Sequence, residues 1–385
     1  MRRHVSALTT FLAVFGLAGS ALAAAWFNDA PMSVTRGDVM AASDGTDKIY
    51  VFGGFSNQAN HHDSAEVYSA ASGTWTAIES MPTPLERGRA VYFDGKIYIP
   101  GGYYLGTNSD TVLIYDIAGD TYSTGEDVPE ARNAYAAEEI DGLIYVCGGA
   151  NASDESQADC WSYDPDGDTW ADIADMPTAR RRVGSAVLDG ELYVLGGLTE
   201  FGYPTNIVDI YDPDLDTWSS GTSLPLGWYG GASGTYDGKI YATHGGDTSL
   251  APQNKGYIFD PDADGWSTIS VNHQTNRIGA AGAPLDYFYV VGGWRENFFE
   301  VIIPFASTEH YEPLGIVTTT TTSTPPSTTT TTEPSTTTTT TVPPGDDDDA
   351  DDDDIDDDAD DDDTKPEPAG EDDDDADEDN GGCCG

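Results

Sequence analysis

Short apolar runs rich in β-branched and aromatic residues recur along the chain, among them Ile97-Tyr98-Ile99, Ile144-Tyr145-Val146 and Leu192-Tyr193-Val194-Leu195. Each is bounded by turn residues, the pattern of a short strand rather than a helix. An Asp-Gly turn comes first, at Asp94-Gly95, Asp141-Gly142, Asp189-Gly190 and Asp237-Gly238, and a Gly-Gly pair follows. Those pairs stand at Gly53-Gly54, Gly101-Gly102, Gly148-Gly149, Gly196-Gly197, Gly245-Gly246 and Gly292-Gly293, at intervals of 48, 47, 48, 49 and 47 residues. Further along each period comes an aromatic, at Tyr68, Tyr115, Tyr163, Tyr211 and Phe259, and seven residues later another, at Trp75, Tyr122, Trp170, Trp218 and Trp266. One supersecondary unit is therefore copied six times.

Four strands fit each period. Strand a ends at the Asp-Gly turn, b ends at the Gly-Gly, c carries the Tyr and d carries the Trp. Radial repetition of four-stranded units predicts an all-β chain folded as a six-bladed β-propeller. Gly-Gly, Tyr-Asp, Trp, Met-Pro and Arg, seen together from Gly148 to Arg180, resemble the kelch repeat, over roughly residues 26–315. The sixth unit has His310-Tyr311-Glu312 as strand c but no Trp after it, whereas Trp26 precedes Pro31 and Arg36 much as Trp75 precedes Pro82 and Arg87. The N-terminus is thus expected to supply strand d of the last blade. The propeller is placed at 24–316.

Because strands alternate in direction, the b–c and d–a connections share one face and the tight a–b and c–d turns share the other. The propeller's nine arginines (Arg36, Arg87, Arg89, Arg132, Arg180, Arg181, Arg182, Arg277 and Arg295) all map to the first face. Arg132, Arg180 and Arg277 stand nine residues before their next a–b turn, where Leu85 and Trp228 stand in two other blades. That placement puts them around the channel mouth. The expected ligand-binding set is Arg132, Arg180, Arg277, Arg87, Trp228 and Trp294, a mouth of guanidinium groups and rings suited to an acidic peptide or sugar. In kelch proteins the same arginine also bridges blades, and both readings stand. Tyr103, Tyr104, Phe201, Tyr203, Tyr229, Phe298 and Phe299 crowd the same loops.

Composition divides the chain. Residues 1–23 read as a secretory signal peptide: Arg2, Arg3 and His4, an apolar run from Leu8 to Ala18, then Ala21-Leu22-Ala23. No stretch is long enough for a transmembrane helix. Residues 317–344 are a Thr/Pro-rich linker and 345–380 an Asp-rich segment, both expected to be disordered because they lack apolar surface to bury. The last five residues, 381–385, form a Gly/Cys tag whose Cys383 and Cys384 offer a point of surface attachment. The formal net charge is −52; the propeller itself holds 43 acids against 13 bases, which excludes a nucleic-acid partner. An exported chain permits disulfides, and Cys147 and Cys160 fall at the end of b and the start of c in one blade. They either staple that hairpin or remain as two buried thiols.

No catalytic constellation, cofactor or metal site is expected. Asp260-x-Asp262-x-Asp264 opens like a calcium loop, but Val271 stands where a bidentate Glu is required, and Asp is an ordinary turn former. His61 and His62 read as solvated loop residues. The copper site of galactose oxidase-like kelch enzymes cannot be mapped onto this chain. The functional expectation is an exported or surface-displayed bacterial binding module for a carbohydrate or protein ligand. The alternative is a carbohydrate-active enzyme resembling the six-bladed periplasmic sialic acid epimerases.

Overall fold

A computed structural model describes residues 24–57, 60–269, 275–296 and 301–313. The segments read as signal peptide, linker, Asp-rich tract and C-terminal tag lie outside these residues, as do His273, Phe298 and Phe299.

Six antiparallel blades of four strands form a ring, the sixth carrying an additional short strand, Ile302–Pro304, on its b strand. Strands a to d are Met40–Ser43, Lys48–Phe52, Ala65–Ser69 and Thr74–Ile78 in blade one, and Val91–Phe93, Lys96–Tyr104, Thr107–Asp116 and Thr121–Gly125 in blade two. Blade three has Ala136–Ile140, Leu143–Cys147, Cys160–Asp164 and Thr169–Ile173; blade four has Gly184–Leu188, Glu191–Leu195, Val208–Asp212 and Thr217–Ser220. Blade five has Ala232–Tyr236, Lys239–Thr243, Gly256–Asp260 and Gly265–Thr268. Blade six combines Ile278–Pro284, Phe288–Glu296 and Thr308–Glu312 with Ala25–Asn28 from the other end of the chain. Neighbouring a strands touch all the way round and line the channel.

The closing strand reproduces the repeat's own packing. Across c and d the paired aromatics are direct neighbours: Tyr68 with Trp75, Tyr115 with Tyr122, Tyr163 with Trp170, Tyr211 with Trp218, Phe259 with Trp266. Tyr311 faces Trp26 in the same register, with ring centroids 5.1 Å apart.

These rings also join blade to blade. The indole N–H groups of Trp75, Trp170, Trp218 and Trp266 donate to carbonyls of Ala30, Glu126, Ala174 and Thr222 on the preceding side, at 2.7–2.9 Å. The last Asp of the c–d turn is a second staple: Asp168 Oδ1 accepts from Tyr163 Oη at 2.6 Å and from the Glu126 amide at 2.6 Å, and Asp216 repeats this with Tyr211 and Ala174. The first Asp caps its own turn, Asp164 accepting from the amides of Asp166 and Gly167. The first Asp of the Asp-x-Asp-x-Asp run is thus a turn cap and the last an inter-blade tether.

The glycine pair has a specific structural task. In blades one, two, three, four and six the second glycine's amide donates to the main-chain carbonyl at the consensus-arginine position of the next blade, as in Gly54 to Leu85, Gly149 to Arg180 and Gly293 to Arg36, each at 2.8 Å. A Cβ on Gly53 would lie 2.0 Å from the Leu85 carbonyl oxygen, and φ is +60°, so only glycine meets both demands without strain. Blade five corrects the sequence register. There Gly245 donates to Arg277, so the structural pair is His244-Gly245, not Gly245-Gly246. His244 sits at φ +57° where the other blades have glycine, buried, with its ring edge-on to Trp26 at 6.1 Å. Counted through His244, the fourth and fifth intervals both become 48 residues.

Cys147 and Cys160 oppose each other directly across strands b and c of blade three, with Cα atoms 4.2 Å apart, and are joined as a disulfide.

Candidate binding face

The consensus arginines are interior residues. Arg36, Arg132, Arg180 and Arg277 have no solvent exposure. Arg180 donates to the Gly196 carbonyl at 2.6 Å, to the Ile207 carbonyl at 3.1 Å and to Asp209 at 2.5 Å, all within blade four. Arg36 binds Gly53, Ser64 and Glu66 in the same way in blade one; Arg277 binds Gly292, Ser307 and Glu309 in blade six. Arg132 pairs with Glu130 at 2.9 Å and Asp159 at 3.3 Å and lies over the Trp161 ring at 4.7 Å. The expectation that Arg132, Arg180 and Arg277 face a ligand is therefore corrected: their donors are turned inward onto their own blade. Trp228 is buried as well, its indole N–H held by the His244 carbonyl at 2.8 Å.

The partner of this position stands two residues before the strand-c aromatic, and the two change together. Arg36, Arg180 and Arg277 meet Glu66, Asp209 and Glu309; Arg132 meets Trp161. Leu85 shares an apolar cluster with Leu113, and Trp228 one with Tyr257. Burial pulls the Arg180 guanidinium down and pushes the Asp209 carboxyl up, against their mutual attraction, so desolvation dominates at both ends. Such a pair confers little net stability over apolar residues, which is what blades two and five use.

Two residues further on, the chain does reach the mouth. Asp38, Arg87, Ala134, Arg182, Gly230 and Gly279 occupy equivalent places, all at φ between +49° and +63°. Each of the last five donates its amide to the carbonyl of the one before, at 2.6–3.1 Å, making a belt around the axis. The side chains of this belt define the rim. Asp38 accepts from Arg87 Nε at 3.0 Å and Trp294 Nε1 at 3.1 Å, with Arg182 at 3.4 Å. Burial alone would raise the Asp38 carboxyl; Arg182 and Arg87 outweigh it and hold it at about 2. Arg87 in turn lies 4.7 Å over the Tyr103 ring and 3.5 Å from Glu86, which binds His61 Nδ1 at 3.0 Å. Burial and Asp38 push Glu86 upward. Of the expected set, then, Arg87 and Trp294 are at the mouth, while Asp38, Arg182, Glu86 and His61 complete it.

His61 and His62 also depart from expectation. His61 is held by Glu86 and sits edge-on to Tyr104, and His62 Nε2 lies 2.5 Å from Ser56 Oγ. Neither is a freely solvated loop residue. The signal for the mouth cluster was the offset of two from the consensus arginine, visible only once the left-handed belt is known.

Around this rim, loop tips expose apolar side chains. Phe201 is 79% and Tyr203 70% exposed on the b–c loop of blade four, and Leu250 is 55% exposed on that of blade five. The equivalent loops of blades three, four and five close through the same bonds: Asn151 to Glu155 and Asp154 to Asn151, Thr199 to Tyr203 and Gly202 to Thr199, Asp247 to Ala251 and Leu250 to Asp247. Blade three makes this turn with Ala152, Ser153 and Asp154 at its tip, so the rings of blade four are not needed to fold it.

Comparison with known proteins agrees with this architecture. The solved structure of YjhT superposes with a TM-score of 0.61 over 72% of this chain and 95% of that one at 15% identity, a likeness of fold alone. An F-box/kelch-repeat protein of Arabidopsis thaliana is 38% identical over 77 residues, a stretch that spans 20% of each protein. The KLHDC2/KLHL20/DRC7 kelch-repeats domain model matches residues 24–197 and 120–293. With six blades, the repeat's buried arginine and aromatic positions in place, and a family match across most of the propeller, the chain belongs to the kelch-repeat family, whose propellers are general protein-interaction modules.

Proposed function

We propose that this protein is an exported, surface-displayed binding module that docks a protein ligand on the mouth face, at the loop tips of blades four and five beside the Asp38–Arg87–Arg182 rim. The observation that carries this reading is the sidedness of exposed apolar groups. Of eight large apolar side chains exposed among the described residues, six (Leu105, Phe201, Tyr203, Leu226, Leu250 and Val301) lie on b–c or d–a connections. Leu250 also holds φ +61°, a strained conformation for a branched side chain, where blade four has glycine. A partner segment with apolar anchors and basic flanks suits this patch, because 43 acids against 13 bases surround it with negative charge. A carbohydrate ligand uses the same rings by stacking. Export is supported by the basic, apolar and small-residue sequence at 1–23 and fits the Cys147–Cys160 disulfide.

The test is peptide and glycan array binding by the full chain against Phe201→Ser/Tyr203→Ser/Leu250→Ser. The expected result is loss of the wild-type signal by more than about tenfold, with folding stability within about 0.5 kcal/mol, since no core contact is touched. A variant that binds as before removes this patch from the function. The second reading, a carbohydrate-active enzyme, draws on the titratable cluster of His61, Glu86, Arg87 and Asp38. Turnover of a sialic acid anomer by the full chain, abolished by Glu86→Gln, would establish it instead.

A further inference from the structure

The channel opens on the opposite face into a cavity of about 380 Å³ whose lining holds four charged residues, Asp44 and Glu139 together with the pair Arg89 and Glu138. Their bonding is incomplete in a complementary way. Arg89, in the lining, donates Nη2 to the Val183 carbonyl at 2.8 Å and Nε to the Tyr135 carbonyl at 3.4 Å, with no hydrogen bond from Nη1 among the described residues. Glu138, in the same lining, receives one bond among those residues, from Ser185 Oγ at 2.7 Å on Oε1, and none on Oε2. The two make no ion pair with each other, and neither has another ionic partner among the described residues. Arg89 is held by backbone carbonyls and Glu138 by the Ser185 hydroxyl, and the two attract each other without forming a direct pair.

We infer that this cavity binds a small zwitterionic amino acid, its carboxylate on Arg89 and its ammonium on Glu138. The opposite wall is made of Ala41, Ser233, Gly234 and Gly282, which supply room rather than competing charge. The volume suits a small ligand and no more. Asp44 and Glu139 stand at the outer rim with their oxygens bonded to turn amides, Glu139 to Gly142 and Asp44 to Thr46, Asp47 and Lys48. They disfavour entry of a plain anion and favour a ligand that brings its own positive end. Burial raises the Glu138 carboxyl and lowers the Arg89 guanidinium, outweighing the attraction between them, and a bound zwitterion would add a closer partner at both ends.

Isothermal titration of the full chain with glycine and L-alanine tests this, with acetate and methylammonium as single-ended controls. The amino acids are expected to bind saturably and at least about tenfold more tightly than either control, and Arg89→Met to abolish the binding. Ala41→Leu, which narrows the cavity from blade one, on which neither charged group stands, is expected to abolish it too, so a folding defect in the arginine variant leaves the test intact. No saturable binding, or acetate binding as tightly as glycine, overturns the proposal.

Discussion

Blades two and four fold the same backbone around opposite chemistry. At the consensus position blade four buries Arg180 against Asp209, while blade two buries Leu85 beside Leu113. Backbone bonding is indifferent to the choice: the Leu85 carbonyl accepts from Gly54 at 2.8 Å, and the Arg180 carbonyl accepts from Gly149 at 2.8 Å. What the repeat preserves is therefore a filled, satisfied volume and a main-chain acceptor, not a charge. The lesson extends to function. A residue type repeated in many blades points to the scaffold, and a residue unlike its counterparts, such as Phe201 against Ser153 in the neighbouring loop, points to the ligand.

The comparison is broken most severely by removing a whole strand from one blade while leaving the others intact. Deleting residues 24–35 takes strand d and Trp26 from blade six, exposing Tyr311 and opening the ring. The expected outcome is loss of the cooperative melt of the entire propeller, read by circular dichroism; an unchanged two-state transition would mean the closure contributes nothing. Transplanting blade two's solution into blade four has the next largest effect. Arg180→Leu alone strands Asp209 in the interior and should cost about 3–5 kcal/mol in denaturant unfolding, whereas Arg180→Leu/Asp209→Leu should recover most or all of it. A double variant as unstable as the single would show that the charge itself is required.

The smallest effect contrasts this interior pair with the rim. Asp209 is raised by burial, whereas Asp38 is held down by Arg182 and Arg87. A carboxyl lowered on folding stabilises above its unfolded value, ordinarily near 3.9, and that contribution disappears as pH falls toward 2. Asp38 should thus supply about 2 kcal/mol at neutral pH, lost between roughly pH 4 and pH 2, and Asp38→Asn should flatten that segment of the stability–pH curve. Parallel curves for the two proteins would mean that the rim pairs do not stabilise the fold.

Much of the scaffold was legible because its physics is local or repeated. The Gly-Gly spacing, the Asp-Gly turns and the Tyr–Trp interval each reflect a constraint met in most of the six blades, and even Trp26 could be assigned to blade six from the missing Trp after Tyr311. The register of blade five was not legible. Two glycines at 245 and 246 look like the pair, and only the amide that reaches Arg277 shows that His244 holds the first place. The mouth was misread for a related reason. Position along the chain placed Arg132, Arg180 and Arg277 on the correct face but could not tell inward from outward, because a side chain's direction there depends on a left-handed residue two positions later.

From its residues alone, this protein's number of blades, their strand order, the closing strand and the shared face of the long loops were determined, since turn chemistry and periodicity act within one repeat. The packing of neighbouring blades decided the rest: which arginines are entombed, that Asp38, Arg87 and Arg182 converge, and that Arg89 and Glu138 face one cavity unpaired. Those groups come from different blades, Arg89 and Glu138 from neighbours and Asp38 and Arg182 from blades one and four. Packing of the blades around one axis brings them together and sets the desolvation that governs their charge.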